Sequence, residues 1–263
     1  MERLPILNKK IEKDGLYLLN CSSINEPSSF VLNQNGNFDI LIVNLSDKNE
    51  IHFDIEDGAF LHLSCLSRNK LNSFKISANV GKNAKIDAFF ADFIKGQCKG
   101  EVVINLNKEN ASVDWRLASL TCSGDKKVFD VSSFHKATNT ISHLDNYGVI
   151  RDDGKLQFSG ICKIENGSHG SKAHQNAKIM VFDEASDGIA KPILKIDDND
   201  IEASHAAVVG KINDEHVFYL TSRGLSKEEA KRIITLGYLK PILNGFRDEN
   251  VRNEIEKIIE GNM

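Results

Sequence analysis

The most constraining feature of the sequence is a repeat of short strand-like segments between about residues 38 and 220. The segments alternate apolar and polar residues, and turn residues separate them. A small residue after a turn opens a segment at Ala59, Ala84, Ala111 and, less clearly, Ala137, at intervals of 25, 27 and 26 residues. Spacing of this length predicts a solenoid of stacked coils with parallel strand pairing. A sandwich of hairpins also has closely spaced turns, but the near-constant interval favours the solenoid.

The pattern becomes helical after residue 225. Residues 226–229 read Ser-Lys-Glu-Glu, a capping box in which Ser226 is the N-cap and Glu229 reaches back to it. We expect one helix that ends or kinks at Pro241 and a last helix that stops near Gly261. The apolar faces are Ala230, Ile233, Ile234 and Tyr238 in the first helix, and Val251, Ile255, Ile258 and Ile259 in the last. Such a region usually caps the open core of a solenoid, although it can equally be a docking surface.

Charge and hydropathy exclude two classes of partner. Lys+Arg 33 against Asp+Glu 37 gives a net charge of −4, which is too mild and mixed for a nucleic-acid-binding surface to be expected. No apolar run approaches the roughly 18 residues that a membrane span requires, and residues 1–10 contain no apolar leader segment. We therefore expect a soluble, cytoplasmic protein that binds neither nucleic acid nor membranes.

Cysteine spacing and missing motifs narrow the chemistry. The five cysteines, an odd and scattered set without a Cys-x-x-Cys pair, are Cys21, Cys65, Cys98, Cys122 and Cys162. They predict neither a disulfide framework nor a zinc ribbon or self-contained iron–sulfur site, and we expect each to be a small buried apolar residue. The sequence also lacks the phosphate-binding Gly-x-x-x-x-Gly-Lys-[Ser/Thr] motif, so the chain should not hydrolyse ATP by itself. No enzyme class follows from the motifs.

Three of the eight histidines bear on a metal site. His169 and His174 stand five residues apart, an offset that sends them to opposite faces of a straight strand, so we expect a solvated loop there. His205 lies among small residues that leave its imidazole uncrowded. The residues alone favour a hydrogen-bonded strand histidine at this position over a metal ligand.

Several segments between residues 131 and 246 together resemble the SufB/SufD family. They are Asn139-Thr140, Gly148-Val149-Ile150, Gly154, Phe158-Ser159-Gly160, Ala173-His174-Gln175-Asn176, Lys191-Pro192-x-Leu194-x-Ile196, Ser204-His205-Ala206-Ala207-Val208-Val209-Gly210 and Phe218-Tyr219-Leu220-x-Ser222-Arg223-Gly224-Leu225, followed by Leu236-Gly237-Tyr238. Upstream of residue 131 only the repeat pattern agrees with the family.

The resemblance implies a right-handed parallel β-helix with a small C-terminal α-helical region that docks the ABC-type ATPase SufC. It also implies a role in the SUF machinery for iron–sulfur clusters, in which SufB and SufD pair through their β-helices. We accordingly divide the chain into a lead-in (1–37), a β-helix core (38–222) and a helical region (223–263). The residues expected to position that region on SufC are Ser222, Arg223, Gly224, Leu236, Gly237 and Tyr238, for which simple capping of the β-helix is the alternative.

Departures from the SufB pattern favour a SufD-like subunit. SufB has a scaffold cysteine six residues before the proline that matches Pro192, where this chain has Ser186. SufB also has acidic residues around the matching histidine, where this chain has Ser204 and Ala206. The resemblance thus makes His205 the candidate ligand for iron or a transient cluster at a subunit interface, with no cofactor bound stably.

Two alternatives remain open. SufD proteins usually carry an N-terminal helical domain, whereas strand-like sequence begins here within about forty residues, so the chain pairs either with a SufB-like subunit or with itself. A self-pairing form would regulate SufC without cluster chemistry, because neither copy has the scaffold cysteine. A carbohydrate-active β-helix enzyme is the other alternative, with Asp197, Asp198 and Asp200 as its carboxylates, although an acidic turn is the favoured interpretation of these three residues. The single tryptophan and 7% aromatic residues disfavour a sugar groove.

Overall fold

The computed structural model describes residues 2–4, 9–23, 26–68 and 71–261. In these residues the chain forms strands β1 (Glu2–Arg3), β2 (Lys9–Ile11), β3 (Gly15–Asn20), β4 (Ser28–Leu32), β5 (Asn37–Val43), β6 (Asn49–Ile55), β7 (Phe60–Leu66), β8 (Leu71–Val80), β9 (Lys85–Asp92), β10 (Gln97–Leu106), β11 (Ser112–Thr121), β12 (Lys126–His135), β13 (Ile141–Ile150), β14 (Lys155–Ile164), β15 (Ser171–Val181), β16 (Asp187–Ile196) and β17 (Ile201–Lys211). Helices α1 (Asp214–Ser222), α2 (Lys227–Leu239) and α3 (Glu249–Gly261) follow, with 3₁₀ segments at Cys21–Ser23 and Lys240–Gly245. None of the described helices is long and apolar enough to cross a membrane.

The strands form a parallel β-solenoid, as the repeat predicts. Odd-numbered strands make one sheet, β1-β3-β5-β7-β9-β11-β13-β15-β17, and even-numbered strands make a second, β16-β14-β12-β10-β8-β6-β4-β2. We call these the odd sheet and the even sheet. Each strand pairs in parallel with the strand two further along the chain, for example β13 with β15. Because a sandwich of hairpins would give antiparallel pairs, this topology excludes the alternative of a hairpin sandwich.

The coils lengthen along the chain. Ile40 pairs with Leu63, a separation of 23 residues, whereas Leu144 pairs with Gln175, a separation of 31. The backbone oxygens of Ala59, Ala84 and Ala111 each accept a hydrogen bond from the next coil at the same position, and all three residues are buried. The fourth coil has Thr140 there, so the assignment of Ala137 to this position was wrong. Longer coils later in the chain moved the equivalent residue downstream.

Asparagine and glycine occupy one corner of successive coils. Asn35, Asn83, Asn110 and Asn139 all have φ between 54° and 59°, and Gly58 has φ of 74°. Asparagine and glycine adopt this left-handed conformation most readily. The Asn110 amide donates to Asn83 Oδ1 at 2.8 Å, while a Cβ at Gly58 would collide with Asn35 Oδ1. Glycine at position 58 therefore leaves room for the Asn35 side chain of the neighbouring coil. Because this corner admits asparagine or glycine in every coil, these turn residues recur in the sequence.

The helical region lies on the outer face of the odd sheet. It packs through a helix–sheet cluster of buried residues: Leu41, Val43, Leu66, Phe89, Ala91, Phe93, Ala118, Leu120, Cys122 and Val149 against Leu239, Ile242, Leu243, Phe246, Val251, Ile255 and Ile259. The predicted capping box is present, with the Glu229 amide donating to Ser226 Oγ and the Ser226 amide to Glu229 Oε2. Ile233 differs from the prediction, because its side chain is 45% exposed.

Polar contacts fix the helical region to the sheet. His62 Nε2 donates to the Gly245 oxygen at 2.8 Å, and Arg68 makes two hydrogen bonds to Glu254. Burial lowers the pKa of His62, but the Asp87 carboxylate and the Gly245 oxygen raise it more, so the net pKa lies above its usual value. The helices thus run back along the solenoid instead of capping its last coil.

The element bounds differ from the predicted division of the chain. Strands of both sheets occur before residue 38, and α1 lies before residue 223. Residues 1, 5–8 and 24–25 of the predicted lead-in, and residues 262–263 of the predicted helical region, lie outside the described residues.

Candidate functional site at the open end of the solenoid

The last coil, formed by β16 and β17, is exposed. These are the end strands of the even and odd sheets in the described part of the chain. Their exposed apolar side chains include Ile193 at 44%, Val208 at 53% and Val209 at 44%. A long apolar edge strand with unpaired backbone groups is a template for pairing with another chain. We call this surface, β16 with β17, the open end.

His205 lies at the mouth of the solenoid interior. It pairs in register with Gln175 on β15, whose side chain faces inward and is only 2% exposed. Because residues at matching positions of parallel in-register strands share a face, the His205 side chain also faces the interior, where no later coil covers it. The imidazole makes no hydrogen bond to the described residues. His205 is therefore a strand histidine, as expected, but it lacks the expected hydrogen bond.

The family-like segments converge at this mouth. Gly160 pairs in register with Pro192 on the even sheet, opposite the pair formed by Gln175 and His205. A Cβ at Gly160 would collide with the Val131 oxygen and lie 3.1 Å from Gln175 Nε2. Glycine is therefore needed where the Gln175 amide crosses the interior. Residues up to 45 positions apart in the sequence thus surround one opening.

Gln175 is the unusual member of this group. Its Oε1 atom is buried and has no hydrogen-bond partner. An unsatisfied buried carbonyl oxygen of this kind costs about 1–3 kcal/mol, and a catalytic role or a bound water or ion is among the explanations for such an atom. No group of three or more His, Cys, Asp or Glu side chains in the described residues is arranged to hold a metal ion. A metal ion at His205 would therefore take its other ligands from outside the described residues.

A polar cluster that sequence reasoning missed lies deeper in the interior. His135 contacts Thr140 Oγ1 and Ser142 Oγ, each at 2.8 Å. Ser133 connects Ser142 to the Cys162 thiol, at 3.1 and 3.2 Å. Burial lowers the pKa of His135 to about 4 and raises that of Cys162. No signal in the sequence pointed to this cluster, because only strand register identifies Thr140 as the residue that replaces alanine at the coil corner.

The positions that distinguish SufB from this chain lie on the same last coil. Ser186 Oγ donates to the Asp183 carboxylate at 3.0 Å just before β16. Ser204, next to His205, contacts His174 Nδ1 through its hydroxyl at 2.7 Å. Ala206 on the other side is exposed. The coil therefore brings one exposed imidazole but no thiol to the open end.

Three of the six predicted partner-binding residues end α1 and are exposed. Ser222 Oγ donates to the Tyr219 oxygen at 2.7 Å, and the Arg223 guanidinium lies 5.3 Å from the Tyr219 ring centroid. Gly224 has φ of 98° and so terminates the helix. Phe218, at 73% exposure, is the most exposed large apolar residue of the described chain. This end of α1 is thus an ordered, partly apolar surface.

The other three lie on α2 against the odd sheet. Leu236 packs on the helix–sheet cluster, and the Tyr238 ring lies 5.8 Å from that of Tyr147 in an edge-to-face contact. Burial raises the pKa of Tyr238 to about 12. Gly237 is exposed and lines a groove of about 640 Å³ between α2 and the sheet. The six predicted residues therefore form two groups, one exposed at the end of α1 and one holding α2 in place.

Comparison with known proteins agrees with this geometry. Residues 24–238 match the family model "SUF system FeS cluster assembly, SufBD core domain". The chain belongs to the SufBD core domain family. It is similar to the iron–sulfur cluster assembly protein SufD of Bacillus subtilis, with 31% identity over 180 residues, which are 68% of this chain and 41% of that protein. A SufBD family protein of Mycobacterium tuberculosis is 30% identical over 144 residues, 54% of this chain and 17% of its own length.

The family is that of the core domain of the SUF system for iron–sulfur cluster assembly, and its members are generally non-catalytic assembly subunits. The chain spans less than half of the length of the two relatives described above. The family model begins at residue 24, so it covers coils upstream of residue 131, where we had found only a matching repeat.

The remaining candidate features of this SufBD chain are structural. His169 lies in a turn, as expected, with Nδ1 3.0 Å from Asp198 Oδ1. His174 lies in strand β15, so the expectation of a loop was wrong for that residue. Asp198 also accepts hydrogen bonds from the amides of Gly167 and Asp200. Its carboxylate therefore ties together two turns of successive coils, which agrees with an acidic turn.

Proposed function

We propose that this chain is a SufD-like subunit of a SUF assembly complex that pairs with a SufB-like subunit, or with a second copy of itself, through the open end. The observation that carries the proposal is the uncovered last coil, with β17 and its exposed Val208 and Val209. A partner solenoid placed end to end would continue both sheets and cover the apolar interior.

The proposal includes docking of a SufC-type ATPase on the helical region. The end of α1 offers Phe218 and Tyr219 beside Arg223, an aromatic and arginine composition typical of interface centres. α2 is held on the odd sheet through Leu236 and Tyr238. Force applied to α1 would therefore reach the solenoid through α2 and its contacts. Nucleotide hydrolysis would belong to the ATPase, since this sequence has no phosphate-binding motif.

The proposal gives His205 a role in handling iron or a cluster as cargo at the paired ends. Its imidazole is exposed and makes no hydrogen bond within the described part of the chain, and imidazole is a suitable iron ligand. The unpaired Oε1 of Gln175 lies one coil deeper, where it can accept a hydrogen bond from a cargo-bound water. The alternative is a self-pairing regulator of the ATPase that carries no cargo.

Replacing His205 with Ala is expected to lower cluster formation by the co-expressed complex at least about ten-fold, the usual cost of disturbing a metal site. The complex mass should be unchanged, because the open end keeps its apolar residues. His169→Ala, an exposed turn histidine, is the control and should form clusters at the wild-type rate. Normal cluster formation by His205→Ala in an intact complex would reject the cargo role and favour the regulator.

A further inference from the structure

A single register position on the outer face of the odd sheet carries a row of polar side chains. In chain order the row consists of Asp39, His62, Asp87, Asp114, His143, His174 and Ser204. The helical region covers the start of the row, where Asp39 and His62 are buried. The histidine pair later in the row is outside the helix–sheet cluster, and 46% of the His143 side chain is exposed.

The two imidazoles are held side by side. Their ring centroids lie 5.2 Å apart with the rings 13° from parallel. His143 Nδ1 lies 2.8 Å from Asp114 Oδ1, and His174 Nδ1 lies 2.7 Å from Ser204 Oγ. Asp114 is in turn fixed by Lys85 at 2.8 Å. The Nδ1 atom of each ring therefore makes a hydrogen bond to a side chain of a neighbouring strand. Neither Nε2 atom has a hydrogen-bond partner among the described residues.

This is the arrangement that prepares histidines for metal binding. A metal-ligating histidine nearly always donates its second ring nitrogen to a carboxylate or another oxygen, which fixes the tautomer and orients the ring. An Nδ1–H donated to Asp114 or Ser204 leaves the Nε2 lone pair of each ring available. The ladder keeps the two rings on adjacent strands, about 4.8 Å apart in the backbone, so the two nitrogens can reach one ion by rotation of the side chains.

We propose that His143 and His174 form a surface site for a borderline divalent transition-metal ion of the zinc or nickel type. Imidazole nitrogen suits these ions better than magnesium or calcium, which prefer oxygen ligands. Two protein nitrogens leave the other coordination positions to water, consistent with the absence of a three-residue cluster in the described chain. The site is separate from His205, whose side chain faces the interior, and it needs no SUF partner.

The test is calorimetric titration of the isolated full chain with Ni²⁺, using wild type, His143→Gln, His174→Gln and Asp114→Asn. All five cysteines are buried, so thiols should not compete. We expect one Ni²⁺ per wild-type chain, at least about ten-fold weaker binding in each histidine variant, and a similar loss in Asp114→Asn because the ring loses its orienting carboxylate.

The matched control is His169→Gln. His169 is also exposed and also has Nδ1 on a carboxylate, that of Asp198, but it has no stacked histidine beside it. Its removal should leave the affinity unchanged. Equal affinity in wild type, His143→Gln and His174→Gln would overturn the proposal, as would an equal loss in His169→Gln. Thermal unfolding without metal identifies a variant that binds weakly because it is misfolded. In that case the Ni²⁺ affinities of the conservative variants His143→Asn and His174→Asn replace those of the glutamine variants in the test.

Discussion

Replacing Lys127 with Met is expected to lower the free energy of unfolding by about 3–5 kcal/mol, the usual cost of leaving one member of a buried ion pair alone. Lys127 and Asp92 are 1% exposed, and Lys127 Nζ lies 2.8 Å from Asp92 Oδ2. The ammonium also donates to the oxygens of Ile94 and Leu120. Methionine fills a similar volume but satisfies none of these acceptors, so an unpaired carboxylate remains in the interior.

The measurement is urea denaturation followed by circular dichroism, with Lys75→Met as the control. Lys75 pairs with Glu101 at 2.7 Å, but both side chains are more than 40% exposed, and such pairs contribute less than about 1 kcal/mol. The two variants remove the same groups and differ only in burial. The buried pair joins β12 of the even sheet to β9 of the odd sheet. Equal urea midpoints for Lys127→Met and Lys75→Met would show that this pair does not stabilise the contact between the sheets.

Replacing Val209 with Asp is expected to abolish pairing through the open end while leaving the isolated chain folded. Val209 is 44% exposed on the end strand β17. It pairs in register with the inward-facing Ile179, so it faces the uncovered interior and the monomer loses little burial. In a paired complex the carboxylate would be desolvated without a partner, at a cost of about 3 kcal/mol or more. That cost corresponds to at least about 100-fold weaker association, which is measurable by sedimentation of the complex.

Ile233→Asp is the control for this substitution. Ile233 is 45% exposed on α2, away from the last coil, and the same change of chemistry there should not affect pairing. A Val209→Asp chain that still pairs with wild-type affinity would place the interface elsewhere. If Ile233→Asp weakens pairing as much, the helical region takes part in the interface.

The repeat was readable because each coil corner is a local requirement. A left-handed corner admits asparagine or glycine, and the corner alanine is buried, so both recur in the sequence whatever the rest of the coil contains. The coil length was not readable from the same signal. The later coils contain up to eight residues more than the 23-residue coil that pairs Ile40 with Leu63. Only strand register shows that Thr140, not Ala137, is the fourth corner residue.

Contacts between distant residues explain the rest. Amphipathic spacing correctly predicted α2 and α3, but their apolar faces could pack on the end of the solenoid or on its side, and contacts such as His62 with the Gly245 oxygen decide for the side. The convergence of Gly160, Gln175, Pro192 and His205 depends on register across four strands. Sequence segments indicated that these residues mattered together, but the inward direction of His205 follows only from the fold.

The most direct test of the account is the mass of the complex formed when this chain is co-expressed with cognate SufB and SufC proteins. We predict either one SufB, one copy of this chain and two SufC, or a dimer of this chain with two SufC. In both assemblies the open end is covered, and Val209→Asp should break them. A monomeric chain that binds neither protein under any nucleotide condition would contradict the proposal that the open end and the helical region are interfaces.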